Sequence, residues 1–256
     1  VPDGSPSYPL TDTLYVWSDS ATGEAAQQLA TTFGTTPGVP DVVTINVAGD
    51  IILGRTVHTI MTRLDDYAAP FYRVADTLAA ADLTIADLEC SLSDEIEPPE
   101  DPYTFAFMTR TAAAEGLALA GIDGVSRANN HSMNFGPQGM RDTSAVLESV
   151  GIRGFGIGES LPEAREPAVF TVRGLRLAFL GYDGITGSTD GATAQTAGTA
   201  PLDADLLVED IAAAREVADI VIPFIHWGVE YTLTPTAEQH SIAYRAVDAG
   251  AAVVIG

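Results

Sequence analysis

Alternating apolar and polar positions predict an α/β fold in which buried strands are separated by amphipathic helices. Apolar residues that recur every second position indicate strands, and a spacing of three to four indicates helices. The predicted strands cover residues 42–48, 83–86, the start of 125–136, 154–157, 168–172, 175–180, 219–225 and 252–255. The predicted helices cover residues 70–81, 111–120, 137–150, 206–217 and 235–248. The near-continuous apolar run at 219–225 is typical of a strand covered on both faces of its sheet.

Glycine and proline mark the ends of these elements. Pro137 suits the first turn of a helix, and Gly121 and Gly250 are placed to close the helices before them. Arg173–Gly174 predicts a hairpin turn, and the Gly/Thr/Ala-rich segment 186–200 predicts a mobile loop.

The front of the chain differs in composition from the rest. Residues 1–40 are rich in Pro, Ser, Asp and Thr and indicate an N-terminal extension or linker, with a short strand at 14–17 and a helix at 24–29. Residues 41–256 form the predicted domain. Because the chain opens with Val instead of Met, we interpret it as a processed or trimmed product whose targeting segment is out of view.

Polar side chains follow four of the predicted strands. Asp50 ends the first strand, Asp87 and Glu89 follow the second, residues 129–131 (Asn-Asn-His) follow the third, and His226 ends the run at 219–225. Taken singly, each has an ordinary alternative, since Asp and Asn favour turns and a histidine can simply be solvated. Ligands bind at the carboxyl ends of strands in open α/β sheets. A shared metal site is the better account of all four together.

Composition excludes several classes of function. The net charge of -23 argues against a nucleic-acid partner, and solubility is its plainest explanation. All 12 basic residues are Arg, so a Schiff-base lysine and a Walker-A lysine are excluded within this chain. Cys90 is the only cysteine, which excludes an intrachain disulfide and a cysteine zinc cluster. No apolar run reaches the roughly 18 residues of a membrane span.

The motifs Val-Ala-Gly-Asp50, Asp87-Leu-Glu89, Ala-Asn-Asn130-His131, His226-Trp-Gly-Val-Glu230 and Val-Ile-Gly256 occur in this order. As a set they resemble the CapA family of bacterial capsule and poly-γ-glutamate synthesis proteins, which is similar to calcineurin-like metallophosphoesterases. The resemblance runs from about Val43 to Gly256. It implies a four-layer α/β/β/α sandwich with a two-metal site at the strand ends. The sandwich is expected to be C-terminally incomplete, because the family continues with a His-x-His element after Val-Ile-Gly.

The resemblance also implies roles for individual residues. The expected ligands of a divalent metal (Mn, Fe, Zn or Mg) are Asp50, Asp87, Glu89, Asn130 and His226. His131 is the expected general acid. The candidate substrate-binding residues are Arg55, Asn129, Trp227 and Glu230.

Two departures from the family pattern concern the site. Asp87 stands where the family more often has Asn, which adds negative charge. Asn134 stands where Asp is common, which weakens any orienting contact to its neighbours.

The expected function is that of a capsule or poly-γ-glutamate synthesis protein with a metal-dependent, phosphoesterase-like hydrolase site. The alternative is a non-catalytic binding component of a cell-surface polymer synthesis or export assembly. Expected partners are an anionic polymer or phosphoester substrate and a membrane-associated synthesis complex. The expected location is extracellular or at the cell surface, anchored through a segment outside this chain. Without the His-x-His element, this form is expected to bind at most one metal ion weakly and to show little activity.

Overall fold

The computed structural model describes residues 42–101 and 103–256. The predicted extension at 1–40, with its strand at 14–17 and helix at 24–29, lies outside the described residues. The described strands are β1 Ile45–Ile51, β2 Leu83–Leu88, β3 Ser91–Leu92, β4 Met108–Thr109, β5 Gly124–Ser126, β6 Arg153–Phe155, β7 Ile157–Gly158, β8 Ala168–Val172, β9 Leu175–Asp183, β10 Gly198–Thr199 and β11 Ile220–His226. The described helices are α1 Arg55–Leu64, α2 Ala75–Leu78, α3 Ala113–Leu119, α4 Gly136–Ser149, α5 Leu161–Ala164, α6 Gly187–Asp190, α7 Ala204–Ala214 and α8 Ala237–Ala249.

Two larger sheets organise the molecule. The first has the strand order β1-β2-β5-β6, and all its neighbours are parallel. The second has the order β11-β9-β8, with β11 parallel and β8 antiparallel to β9. Two short pairs, β3 with β4 and β7 with β10, lie outside these sheets.

The alternation of side chains along the strands produces three apolar layers. On β9, Phe179 packs between the two sheets, whereas its neighbour Leu180 packs on the opposite face with Leu207 of α7. On β2, Ile85 faces the same inter-sheet layer, whereas Leu88 packs on the other face with residues of α3 and α4. The layers therefore run helix, sheet, sheet, helix. This confirms the predicted four-layer α/β/β/α arrangement.

Several predicted segments differ from the structure. The strand predicted at 252–255 is reduced to a single bridge, between Ile255 and Phe224 of β11. Of the helix predicted at 70–81, only α2 is helical, and the residues before it form hydrogen-bonded turns. Val74 was expected on the buried face of this helix but is exposed. The segment at 186–200, predicted as a mobile loop, contains α6 and β10, and Thr199 is fully buried. The physical reason is Asp183, whose carboxylate accepts hydrogen bonds from Thr186 and Thr199 and ties the two ends of this segment together.

Helix α1 was not predicted from the sequence. It begins after Gly54 without a side-chain cap, and its first residue, Arg55, has a φ of 56°. A start of this kind lacks the Ser, Thr, Asp or Asn that usually marks a helix N-terminus. Within the described ranges, no helix combines the length and apolar character that crossing a membrane requires.

Candidate active site and metal centre

A β-bulge in β1 brings the first carboxylate into the site. Val47 pairs with Ile85, but Asp50 pairs with Asp87, so one extra residue lies in β1 between these positions. Because side chains alternate along a strand, a shift of one residue turns Asp50 to the face it would otherwise avoid. Asp50 and Asp87 consequently lie next to each other at the carboxyl ends of adjacent parallel strands.

His226 reaches this cluster from the second sheet. Its Nδ1 lies 2.8 Å from Asp87 Oδ2 and 3.8 Å from Asp50 Oδ1, and its Nε2 lies 3.1 Å from Glu89 Oε1. Both ring nitrogens therefore face carboxylate oxygens. Carboxylates accept hydrogen bonds only, so the ring satisfies both contacts when it is a doubly protonated imidazolium.

The buried charges of this cluster shift one another's pKa values. Burial opposes the charged form of His226, but the hydrogen bonds and charges of Asp87 and Glu89 outweigh it and raise the pKa of His226 to about 10. Burial raises the pKa of Asp87, although the hydrogen bonds from His226 and Asn129 oppose this. Burial also raises the pKa of Asp50, and the charges of Glu89 and Asp87 add to the effect. The site carries more negative charge than His226 alone neutralises.

The same side chains could hold a metal ion. Asp50, Asp87 and His226 each offer one ligand atom, and these atoms all lie within 4.8 Å of one another. Asp87 is fully buried, whereas the Asp50 side chain is 53% exposed, which opens the cluster to solvent on one side. Oxygen donors with an imidazole suit several divalent metals, so the donor set fits the predicted group without selecting among Mn, Fe, Zn and Mg.

Asn129 positions Asp87 in this cluster, and its own side chain is buried and fully hydrogen-bonded. Its Nδ2 donates to Asp87 Oδ1 at 2.9 Å and to the Leu88 carbonyl at 3.0 Å. Its Oδ1 accepts from the backbone N–H of His131 and from the hydroxyl of Ser132. Asn129 is fully buried and its amide is satisfied by these four bonds. This corrects its prediction as a substrate-binding residue: Asn129 couples Asp87 to the turn that carries His131.

Asn134 orients the imidazole of His131. The backbone N–H of Phe107 donates to Asn134 Oδ1 at 3.1 Å, which fixes the oxygen of this amide toward the ring. His131 Nδ1 lies 3.0 Å from the same oxygen and must therefore carry a hydrogen. Asn134, which was expected to weaken the orienting contact because Asp is common at this position, therefore still contacts the His131 ring. Nε2 is left as the ring atom for a reacting group.

The remaining predicted residues surround this centre. Asn130 is partly buried, and its side chain makes no hydrogen bond to the residues that the structure describes. Arg55 lies at the start of α1, and Trp227 follows β11. Glu230 is exposed, and within the described ranges it makes no hydrogen bond or ion pair with the carboxylate cluster. Glu230 is therefore not part of the cluster.

Sequence reasoning missed two residues beside the site. Phe107 packs its ring against His131, with centroids 4.0 Å apart, and nothing in the local sequence marks it. Asp183 ends β9 opposite His226 and follows an apolar strand, the same pattern that marked Asp50 and Asp87. Its carboxylate accepts hydrogen bonds from Ile185, Thr186 and Thr199. Asp183 therefore stabilises a turn, which is the ordinary role of an Asp at a strand end.

Comparison with solved structures finds partial overlaps at low identity. The 5'-nucleotidase precursor from Thermus thermophilus is 13% identical, with a TM-score of 0.45 over 78% of this chain and 39% of that chain. A hypothetical protein from the same organism is 19% identical, with a TM-score of 0.45 over 73% of this chain and 60% of that chain.

Curated relatives are more similar in sequence. The PGA biosynthesis protein CapA of Bacillus subtilis (strain 168) is 28% identical over 222 residues, which cover 84% of this chain and 57% of that protein. The capsule biosynthesis protein CapA of Bacillus anthracis is 28% identical over 221 residues, covering 84% of this chain and 53% of that protein. The chain spans about half the length of these relatives. The profile of the bacterial capsule synthesis protein family PGA_cap matches residues 44–256, and the chain belongs to that family.

Proposed function

We propose that this chain carries a divalent-metal-dependent phosphoesterase-type hydrolase centre that acts in capsule or poly-γ-glutamate synthesis. The observation that supports it is the convergence of Asp50, Asp87 and His226 from two sheets, with ligand atoms within 4.8 Å of one another, while Glu89 lies 3.1 Å from the His226 ring. Carboxylates packed this closely repel one another unless positive charge lies between them. The capsule synthesis family to which the chain belongs suggests the biological setting.

Each residue of the centre has a distinct task in this proposal. Asp50, Asp87, Glu89, Asn130 and His226 would hold the metal, which when bound lowers the pKa of water to about 7 and polarises a phosphoryl group. Asn129 fixes Asp87 through the bond at 2.9 Å. His131, oriented by Asn134, protonates the leaving oxygen through Nε2. A positioned acid of this kind contributes about 10²–10⁴-fold to the rate.

The setting of the reaction is also a proposal. The two CapA relatives are named for PGA and capsule biosynthesis. We accordingly propose an anionic polymer, or a phosphoester formed during its synthesis, as the substrate. A membrane-associated assembly at the cell surface would be the place of action, with Arg55 and Trp227 contacting the substrate.

Metal titration with a phosphatase assay tests this function. A chain extended through the family's His-x-His element should bind Mn²⁺ and release phosphate from phenyl phosphate, and the double variant Asp50→Ala/His226→Ala of that extended chain should lose both. The matched control Asp248→Ala/His240→Ala changes the same residue types at exposed positions of α8 and should keep both. Equal metal affinity in the two double variants would remove the metal assignment.

A non-catalytic role is the second candidate, and one observation favours it. The His226 imidazolium bridges Asp87 and Glu89 and already supplies a positive charge to the cluster. Such a network needs no metal ion to hold Asp87 and Glu89 on either side of the ring, and it would suit a binding component of a polymer export assembly. Protein that binds an acidic polymer, contains no metal and hydrolyses no phosphoester would support this alternative.

A further inference from the structure

Strand β6 leaves one edge of the first sheet open. It is the last strand in the order β1-β2-β5-β6, and among the described strands it pairs only with β5. In that pairing the N–H of Arg153 donates to the carbonyl of Asp123, and the carbonyl of Phe155 accepts from the N–H of Arg127. Since successive residues of a strand direct their backbone groups to opposite sides, the N–H and C=O of Gly154 point away from β5. Gly154 is exposed, and these two groups make no hydrogen bond to the described residues.

A groove of about 480 Å³ lies along this open edge. Gly154 and Phe155 of β6 line it, together with Glu148 of α4 and with Glu163 and Glu166 between α5 and β8. Helix α4 packs on the outer face of the first sheet, whereas β8 belongs to the sheet on the inner face. The glutamates therefore approach the edge from both faces. None of the predicted site residues lines this groove, so it is separate from the carboxylate cluster.

The groove is acidic. Against its three glutamates stands one basic residue, Arg153, whose Nη1 donates to the Val169 carbonyl at 2.9 Å. Glu148 and Glu166 are exposed and form no ion pair with the residues that the structure describes. The groove thus has more carboxylates than cations, and a positively charged ligand would complement it.

The charge of the chain argues against its own segments as the occupant. Residues 1–41 contain acidic side chains and no Arg, Lys or His. A second copy would bring a net charge of -23 toward a groove of the same sign. Both would be repelled, so the occupant that fits is a basic segment of a different protein.

We propose that the β6 groove binds an extended basic segment of another protein by strand addition. The free N–H and C=O of Gly154 pair with the backbone of that segment, which extends the sheet by one strand. Main-chain bonds of this kind supply affinity, and the side chains supply specificity. Adjacent residues of a strand point to opposite faces, so two neighbouring basic residues direct one side chain toward Glu148 and the other toward Glu163 and Glu166. This binding does not depend on the proposed hydrolase centre.

Labelled peptides test the charge and the strand pairing separately. Fluorescence anisotropy at low ionic strength compares Val-Thr-Arg-Arg-Thr-Val with its acidic counterpart Val-Thr-Glu-Glu-Thr-Val, each carrying fluorescein. The basic peptide should bind at least about tenfold more tightly. Two further peptides carry an N-methyl group on the first or on the second Arg, which removes one N–H and keeps the charge. Because neighbouring N–H groups point to opposite sides, one of these peptides should bind about fivefold more weakly and the other like the parent.

Variants assign the binding to β6. Gly154→Pro removes an N–H that the sheet does not use, at an edge position where Pro is tolerated, and should weaken binding about fivefold. Gly154→Ala keeps the N–H and is the matched control, since a Cβ there meets nothing closer than Arg127 Cγ at 3.6 Å. It should bind like wild type. Circular dichroism confirms folding, and the two N-methyl peptides test strand pairing if Gly154→Pro does not fold.

A second pair of variants assigns the charge. Glu148→Gln/Glu166→Gln should weaken binding of the basic peptide about fivefold. Glu115→Gln/Glu216→Gln changes two exposed glutamates that do not line the groove and should bind like wild type.

Three results would overturn the proposal. The first is equal affinity for the basic and acidic peptides, or no binding of the basic peptide. The second is equal affinity for the two N-methyl peptides together with unchanged binding in Gly154→Pro, which would refute strand addition. The third is the same loss in both double glutamate variants, which would place the peptide elsewhere on the acidic surface.

Discussion

Metal binding at this centre should expel a proton from His226. In the structure its ring donates to Asp87 and Glu89 together, and despite the opposing effect of burial these contacts raise its pKa to about 10. A metal-ligating imidazole must be neutral. At about pH 7.5 the ring is almost fully protonated, so each metal ion bound through it should release close to one proton.

The magnitude follows from the distance between the pKa and the working pH. Removing the proton at about pH 7.5 costs about 3 kcal/mol, because each pH unit below the pKa is worth about 1.4 kcal/mol. The apparent metal affinity should therefore rise about tenfold per pH unit, or about 100-fold between pH 6.5 and 8.5. This dependence is steeper than that of a site built around an imidazole with an ordinary pKa.

Calorimetric titration with Mn²⁺ in buffers of different ionisation enthalpy counts the released protons directly. PIPES, HEPES and Tris at about pH 7.5 give a slope of observed enthalpy against buffer ionisation enthalpy equal to that count. His226→Gln should lose the proton release and bind more weakly, and His240→Gln, which changes an exposed histidine on α8, should match wild type. A count near zero with pH-independent affinity would refute the protonated bridge or the ligand role of His226.

Three further predictions concern stability and positioning. With a chelator present to remove metal, the free energy of unfolding should fall as pH rises from 6.5 to about 9.5, because the pKa of His226 is higher in the folded state than in the unfolded state. Urea titrations at several pH values should show this fall in wild type and not in His226→Gln. Arg127 is fully buried, and none of its guanidinium nitrogens has a hydrogen-bond partner in the part of the chain that the structure describes. Arg127→Met should raise the unfolding free energy by about 1–3 kcal/mol in urea, whereas a loss of stability would show that the charge is satisfied. Asn129→Leu should weaken Mn²⁺ binding about 10–100-fold by calorimetry, and unchanged affinity would deny its positioning role.

Local patterns were enough to predict an α/β fold and to mark the carboxylates at the strand ends, whereas the four layers were expected from the family resemblance. The apolar runs of β2 and β11 are expected in any fold that buries these strands, so the polar residues at their ends, Asp87 and His226, could be identified from the chain alone. Contacts over long sequence separations could not be predicted in this way. The ring of Phe107 against His131 and the loop bonded by Asp183 depend on tertiary packing.

Adjacent residues also take opposite roles that a motif cannot separate. Asn129 and Asn130 are identical in type, yet Asn129 is closed by four hydrogen bonds, whereas Asn130 makes none with its side chain to the described residues. Both residues lie in the turn region after β5, where the Asn129 side chain is buried and the Asn130 side chain is partly exposed. The motif identifies the pair, and only the geometry distinguishes the positioning residue from the candidate ligand.

Charge balance links metal binding to the binding of the proposed anionic substrate. Without metal, Asp50, Asp87 and Glu89 face His226, and at neutral pH the cluster has an excess of negative charge within a chain whose net charge is -23. An anionic substrate is then repelled at short range, where burial leaves the repulsion poorly screened. A divalent cation that displaces one proton adds one net positive charge to the cluster and offers the phosphoryl group a direct partner. Metal and substrate binding are therefore coupled, and each should strengthen the other.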